Sequence, residues 1–419
     1  MLEIKNRTQK LANLVDSIFS GGTPNTKNND YWGGELPWLS SGETRAKYIN
    51  SAQKKITKLG VENSSTKQAL KGDIIIATAG QGHTRGQVSY LLFDSFINQS
   101  LIAIRVNKEL IHPLWMFYNL SNRYDELRQL SDSHSSRGSL TTGLLETLNV
   151  TYPDYRDQEH IADTLYILDQ KIELNNAIKC QLEDMAKTIY DYWFTQFDFS
   201  DEAGNPYKSS GGNMIFCEAL KRSIPEGWVV SELGSVLKTS LGGTPSTKQK
   251  SYWENANIPW LNSGEIVNFP IVHSEERITQ KGIDHSAAEV LPKGSIVISI
   301  VRHIRVSMLA IDSATNQSVV GIYETDKLKS SFIYPCISRE IPRLMSIRTG
   351  AQQPHINKGE VDASLLVVPP EKILQDYYKI TDPIYASIVS KAFENQQLIQ
   401  LRDWLLPMLM NGQVKISTK

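Results

Sequence analysis

The sequence predicts an α+β fold: two similar mixed α/β domains separated by two long helices packed as an antiparallel coiled coil, with pseudo-two-fold symmetry. Three observations predict it. A block of motifs is written twice. Gly21-Gly22-Thr23-Pro24-Asn25-Thr26-Lys27, Tyr31-Trp32 and Pro37-Trp38-Leu39-Ser40-Ser41-Gly42-Glu43 return as Gly242-Gly243-Thr244-Pro245-Ser246-Thr247-Lys248, Tyr252-Trp253 and Pro259-Trp260-Leu261-Asn262-Ser263-Gly264-Glu265. After each copy the texture changes to apolar residues spaced alternately three and four apart, the signature of a helix seam. Finally, 419 residues are too many for one core.

Residues 1–155 read as the first domain, with short β-rich segments between glycine-punctuated turns. Lys71-Gly72-Asp73 feeds Ile74-Ile75-Ile76, a buried strand, and Lys293-Gly294-Ser295 feeds Ile296-Val297-Ile298 at an offset of 222 residues. Asn98-Gln99-Ser100 returns as Asn316-Gln317-Ser318 at an offset of 218, so four residues have been lost in between. Pro113–Leu130 reads as a helix with Trp115, Tyr118 and Leu127 in the core.

Residues 156–198 read as the first long spacer helix, with no Pro or Gly from 156 to 196. At roughly 40 residues it is about 60 Å long. Its seam is Ile161, Leu165, Leu168, Ile172, Leu182 and Ile189, interrupted by polar Asn175 and Lys179. A polar seam residue weakens a coiled coil but fixes its register; a plain gap in the seam is the alternative. The aromatic run Tyr190, Tyr192, Trp193, Phe194 and Phe197 exceeds what one seam can bury. It is expected to dock on its own domain or on a partner subunit. Residues 199–224 form a polar connector, 225–370 the second domain, 371–412 the second long helix and 413–419 a tail. The second seam is Ile373, Tyr377, Ile380, Ile384, Ile388, Leu398 and Leu405. Pro383 predicts a kink, or a restart capped by Asp382. Asn411-Gly412 predicts the stop. A helix with one apolar seam is marginal alone in water, so the two helices are expected to pack on each other.

Composition narrows the function. A net charge of −1 gives no global field for nucleic acid, though a local patch can hide in a neutral total. Cys180, Cys217 and Cys336 show no pairing or metal spacing and read as buried residues in a reducing cytosol. No signal peptide and no membrane-length apolar run is present, which predicts a soluble, cytoplasmic protein without membrane association. No phosphate-binding loop or metal-ligand spacing occurs, and Gly80-Gln81-Gly82 lacks the third glycine of a dinucleotide fingerprint. Asp154 and Glu159 lie where a helix start calls for acids. The expectation is no catalytic residue, no metal and no cofactor.

The two copies can be compared with each other. Shared features should be scaffold, Trp38 and Trp260 core, and Lys27 and Lys248 either phosphate contacts or solvated lysines. Divergent loops should carry whatever differs between two sites. The segment Thr78 to Gln87 faces Ile300 to Val306, and Ser133 to Gly138 faces Gly350 to His355. These loops supply candidate DNA base readers: Gln81, His83, Arg85, Gln87, Ser136 and Arg137 in the first copy. Arg302, His303, Arg305, Gln352, Gln353 and His355 are their counterparts in the second. Arg can grip guanine, and Gln adenine, through paired hydrogen bonds in the major groove. Ordinary variable surface loops are the alternative.

At this point the chain resembles the specificity subunit of type I restriction–modification enzymes. The repeated block carries the resemblance. So do Ser139-Leu140 through Leu144, Val150-Thr151-Tyr152-Pro153, Gln158-Glu159-His160-Ile161, and Leu401-Arg402-Asp403-Trp404-Leu405-Leu406-Pro407 to Gly412. The resemblance implies two target-recognition domains, each reading half of a split site in double-stranded DNA, with two helices setting the spacer. It implies two methyltransferase subunits and motor–nuclease subunits as partners, which hold the catalysis. A chain with its own methyltransferase or nuclease activity, or a coiled-coil scaffold that does not bind DNA, are the alternatives.

Overall fold

A computed structural model of the chain describes residues 7–79, 83–132, 139–414 and 416. These fall into two compact units, Met1–Lys171 with Leu398–Lys419, and Ile172–Gln397.

In the first unit, strand Arg7–Lys10 pairs antiparallel with Asn149–Tyr152, joining the two ends of the domain. Between them lies a five-stranded sheet in the order Val15–Ser20, Leu101–Val106, Ile74–Ala77, Val88–Leu91, Tyr48–Ile49. A four-stranded sheet runs Lys54–Ile56, Trp32–Leu39, Ser95–Ile97, Lys67–Ala69. The unbroken run Ile74-Ile75-Ile76 has a direct cause. Ile74 and Ile76 face the core built on helix Pro113–Ser121, while Ile75 faces the opposite cluster with Leu39 and Ile97. Both faces of the strand are covered, so alternation gives way to a continuous apolar stretch. The helix expected over Pro113–Leu130 is two, Pro113–Ser121 and Tyr124–Asp132, with Trp115, Tyr118 and Leu127 fully buried.

The second unit repeats the plan. Val229–Glu232 pairs with Leu365–Val368. One sheet runs Thr239–Leu241, Val319–Ile322, Ile296–Ser299, Arg305–Met308, and the other Glu276–Ile278, Ile258–Leu261, Ser313–Thr315, Val290–Leu291.

The duplicated block is the joint between sheets in both units. Thr23 and Thr244 donate through Oγ1 to Gln99 and Gln317 Oε1, each at 2.5 Å. Trp38 Nε1 donates to Gly22 O at 3.2 Å, and Trp260 Nε1 to Gly243 O at 3.0 Å. Each buried indole meets a second edge-on, Trp32 at 5.0 Å and Trp253 at 5.2 Å. A Cβ on Gly21 would lie 1.8 Å from Ile97 O, and one on Gly242 2.3 Å from Asn316 O. Glycine is required there by close backbone approach.

The long helices are Tyr155–Tyr190, followed by a π turn at Asp191–Thr195, and Glu371–Met410. In the first unit Ile161 and Leu165 share a core with Leu409, and Asp169 meets Arg402. In the second, Asn175 meets Asn395, and Tyr190 packs on Tyr377. Within each unit one helix's numbers rise as the other's fall, so the pairing is antiparallel. Ile172, Ile384 and Ile388 are buried, and Leu168, Leu182, Ile189, Leu398 and Leu405 are half-buried.

Four expectations are corrected. Ile380 is 45% exposed, and the seam position belongs to Thr381, fully buried, whose hydroxyl donates to Tyr377 O at 3.0 Å. The helix passes Pro383 without a break. Pro383 lies on the exposed face, and Asp382 accepts from Lys329 Nζ and Ser331 Oγ rather than capping a new helix. The aromatic run packs on the second domain: Phe194 against Trp228, Phe332 and Tyr377, and Phe197 against Trp228. Cys180 is exposed, while Cys336 is buried. The helix stops at Met410, where Gly412 takes a φ of 69°.

Candidate nucleic-acid interface

In the second unit, two segments that diverge between the copies meet. Strand Ile296–Ser299 runs out into residues 300–304, and the end of helix Ser330–Ser346 runs into residues 347–356. The Arg302 amide donates to Pro354 O at 2.7 Å, and the Ile356 amide to Ile300 O at 3.0 Å. Arg348 Nη1 donates to Arg302 O at 2.6 Å. Arg302 is therefore clamped at both its N–H and its C=O, in a left-handed conformation with φ 61°. A non-glycine residue pays for that backbone, and such strain is found where a side chain must be aimed. Ser299 Oγ accepts from the Arg305 amide and donates to His303 O, closing the turn beneath.

The result is a surface carrying Arg302, His303, Arg305, Gln352, Gln353 and His355, all exposed. None of the three residues Arg302, His303 and Arg305 is in an ion pair among the described residues. No acid occurs in residues 300–308 or 348–358. The patch is rich in donors and net positive, with side chains suited to phosphates and base edges.

The first unit differs. Arg85, placed by sequence among exposed readers, is buried: its Nη2 donates to Asp132 Oδ1 at 2.5 Å. Asp132 is the last residue of helix Tyr124–Asp132, so the pair ties the loop to that helix. His83 is exposed, and its carbonyl accepts from Tyr124 OH at 3.0 Å. Gln87 is half-buried, with its Oε1 enclosed and without a hydrogen-bond partner among the described residues. Gln81, Ser136 and Arg137 lie outside the described residues. The Leu140 amide donates to Thr78 O at 3.1 Å, so residues following the second divergent segment adjoin the first one here too.

Lys27 and Lys248 are exposed in equivalent turns, and neither ammonium forms an ion pair among the described residues. Sequence reasoning missed Arg348, Asp132 and Asn395. Arg348 has no counterpart signal in the first copy, and Asp132 was unreadable without the helix that carries it.

Among the described residues no cluster could hold a metal ion, and no helix is long and apolar enough to cross a membrane.

The family described as Type I restriction modification DNA specificity domain matches residues 5–184 and again 225–401. The chain belongs to that family. It is a DNA-recognition component, not a catalytic one. It is similar to the type I restriction enzyme MjaIX specificity subunit of Methanocaldococcus jannaschii, 23% identical, covering 96% of this chain and 92% of that one. It is also similar to the HindI specificity subunit of Haemophilus influenzae, 24% identical, covering 83% and 88%. In fold it resembles the crystal structure of the type I restriction–modification S subunit from M. genitalium, with a TM-score of 0.61 and 14% identity over 100% of this chain and 98% of that one.

Proposed function

We propose that the chain reads a bipartite, asymmetric site in double-stranded DNA, one half with each repeat. On this reading it holds two methyltransferase subunits, joined by motor–nuclease subunits for restriction, and works in the cytoplasm. The observation that carries the reading is the convergence of two divergent segments on one exposed, acid-free surface in the second unit, built on a scaffold common to both. Two different half-sites call for common anchoring and unlike reading loops.

Arg302 is the principal reader of the second half-site, with His303, Arg305, Gln352, Gln353 and His355 around it. His83 and Gln87 are the described candidates for the first; Arg85 serves that loop by pairing with Asp132. Arg302→Ala should cost about 1–3 kcal/mol on the cognate duplex and relax preference in one half-site only, measured by competition with single-base variants. Equal loss on every sequence would make Arg302 a phosphate contact instead. Lys27 and Lys248 are the phosphate anchors. Lys27→Ala and Lys248→Ala should each weaken binding to all sequences and reduce the salt slope by about 1. A slope equal to wild type would refute that assignment.

A further inference from the structure

In the first unit, a cation of the chain itself fills the junction between domain and helices. Lys47 Nζ lies 2.6 Å from Asp169 Oδ2 and 4.9 Å from the centre of the Tyr118 ring. The Tyr48 and Phe117 rings stand alongside, at 6.0 Å and 5.9 Å. The repeat identifies the same place in the second unit. An offset of 222 residues puts Phe269 where Lys47 stands and Pro270 where Tyr48 stands. Ile49 and Ile271, next along, both lie parallel to their neighbours, Leu91 and Leu309. Helices starting at Pro113 and Ser330 match Phe117 to Tyr334.

There one of the three rings is kept, Phe117 as Tyr334, while prolines stand at the Tyr48 and Tyr118 positions, a new ring replaces the lysine, and the cation is gone. Phe269 stacks on Tyr334 at 4.1 Å, and Tyr385 meets both edge-on, at 6.2 Å and 6.3 Å. Glu183 of the first long helix joins them, half-buried, with no hydrogen bond or ion pair among the described residues. Burial raises its pKa, with Lys179 acting in the opposite direction. These residues line a groove of about 450 Å³. Of the cations at its rim, Arg339 is paired with Asp191, and Lys187 is exposed. Stacked rings beside a half-buried carboxylate with no direct ion pair among the described residues attract a positive group strongly once water is excluded.

We propose that this groove receives a lysine or arginine side chain from a methyltransferase subunit, supplying from outside the cation that Lys47 supplies within the first unit. The two repeats then offer a partner unlike surfaces, one closed by its own lysine and one open. The inference rests on the assembly proposed above. The test uses the full chain co-purified with its methyltransferase subunit. Glu183→Gln removes the charge with little change in shape, and Phe269→Lys restores the internal cation. Each should weaken association at least about tenfold with an unchanged unfolding midpoint, since a buried charge contact is lost or pre-empted. A photo-reactive side chain placed at Ser338, on the groove wall, should capture a methyltransferase peptide containing Lys or Arg. Wild-type affinity in the Glu183→Gln chain, or capture of a peptide without a basic residue, overturns the groove assignment while leaving the assembly intact. If Phe269→Lys unfolds, Glu183→Gln and the captured peptide decide. A wild-type chain that binds no methyltransferase subunit overturns the assembly itself, and the groove assignment with it.

Discussion

Asp169 shows how much one side chain can hold in this protein. It is 3% exposed and takes Lys47 at 2.6 Å, Tyr48 OH at 2.7 Å, Tyr118 OH at 2.6 Å and Arg402 Nη1 at 3.0 Å. Burial pushes its carboxyl up, but Lys47 and the hydrogen bonds from Lys47 and the two tyrosines outweigh that and hold its pKa below the ordinary value. Asp169→Asn leaves the half-buried Lys47 without its ion-pair partner and Arg402 with Asp403 alone, and should cost about 3 kcal/mol near neutral pH. The folded pKa is depressed, so this stabilisation is complete above the unfolded carboxylate pKa of about 4 and is lost as pH falls through the folded value. Denaturant midpoints of the two chains should therefore converge in acid; a constant gap down to low pH would show that the charge is not the source. At this scale the sequence was a poor guide. Arg85 and Arg302 read alike as candidate readers, each in a segment that differs between the copies and each with a His within two residues. One is drawn in by Asp132, 47 residues away, and the other is held out by Arg348, 46 residues away. The residue that decides each arginine's place is remote in sequence.

At the scale of elements, periodicity located both long helices and most of the seam, because a heptad pattern is a local record of which face is covered. It failed at Ile380, where an apolar residue is exposed and Thr381 takes the buried place. The partner helix decides that, not the residue's own polarity. Asn175 is the reverse case: a polar residue in the seam, fully buried, whose amide donates to Asn395 Oδ1 at 2.9 Å. Asn395 Nδ2 in turn donates to Asn176 Oδ1 at 2.8 Å and Ile172 O at 3.2 Å. Sliding either helix by one turn would bury these amides against aliphatic carbon, at about 1–3 kcal/mol for each unsatisfied group. The cluster is thus a register lock, as buried asparagines are in coiled coils. Asn175→Leu combined with Asn395→Leu should leave the thermal midpoint equal or raised while discrimination between DNA spacers one base pair apart declines. Undiminished discrimination would mean that the remaining seam alone sets register.

At the scale of the whole chain, the duplication allows one scaffold to serve two readings. The glycine pairs, the tryptophan hydrogen bonds (3.2 and 3.0 Å) and the Thr–Gln links (2.5 Å in both) recur in the two units, and this half of the design was legible in the repeated letters. The divergent loops were legible only as differences; that residues 300–306 and 349–356 form one surface required their hydrogen bonds. Those bonds make the two segments a unit for exchange. Replacing residues 300–306 alone with a foreign loop of different backbone path displaces the main-chain partners of Pro354 O, Arg348 and the Ile356 amide, so binding should collapse without acquiring a new preference. Replacing residues 300–306 and 347–356 together from one donor relative keeps the clamp. Mapping methylated bases in cells should then show a new second half-site, the old first half-site and the old spacing. A change in the first half-site would mean that the repeats do not read independently, and that the reading surface is shared.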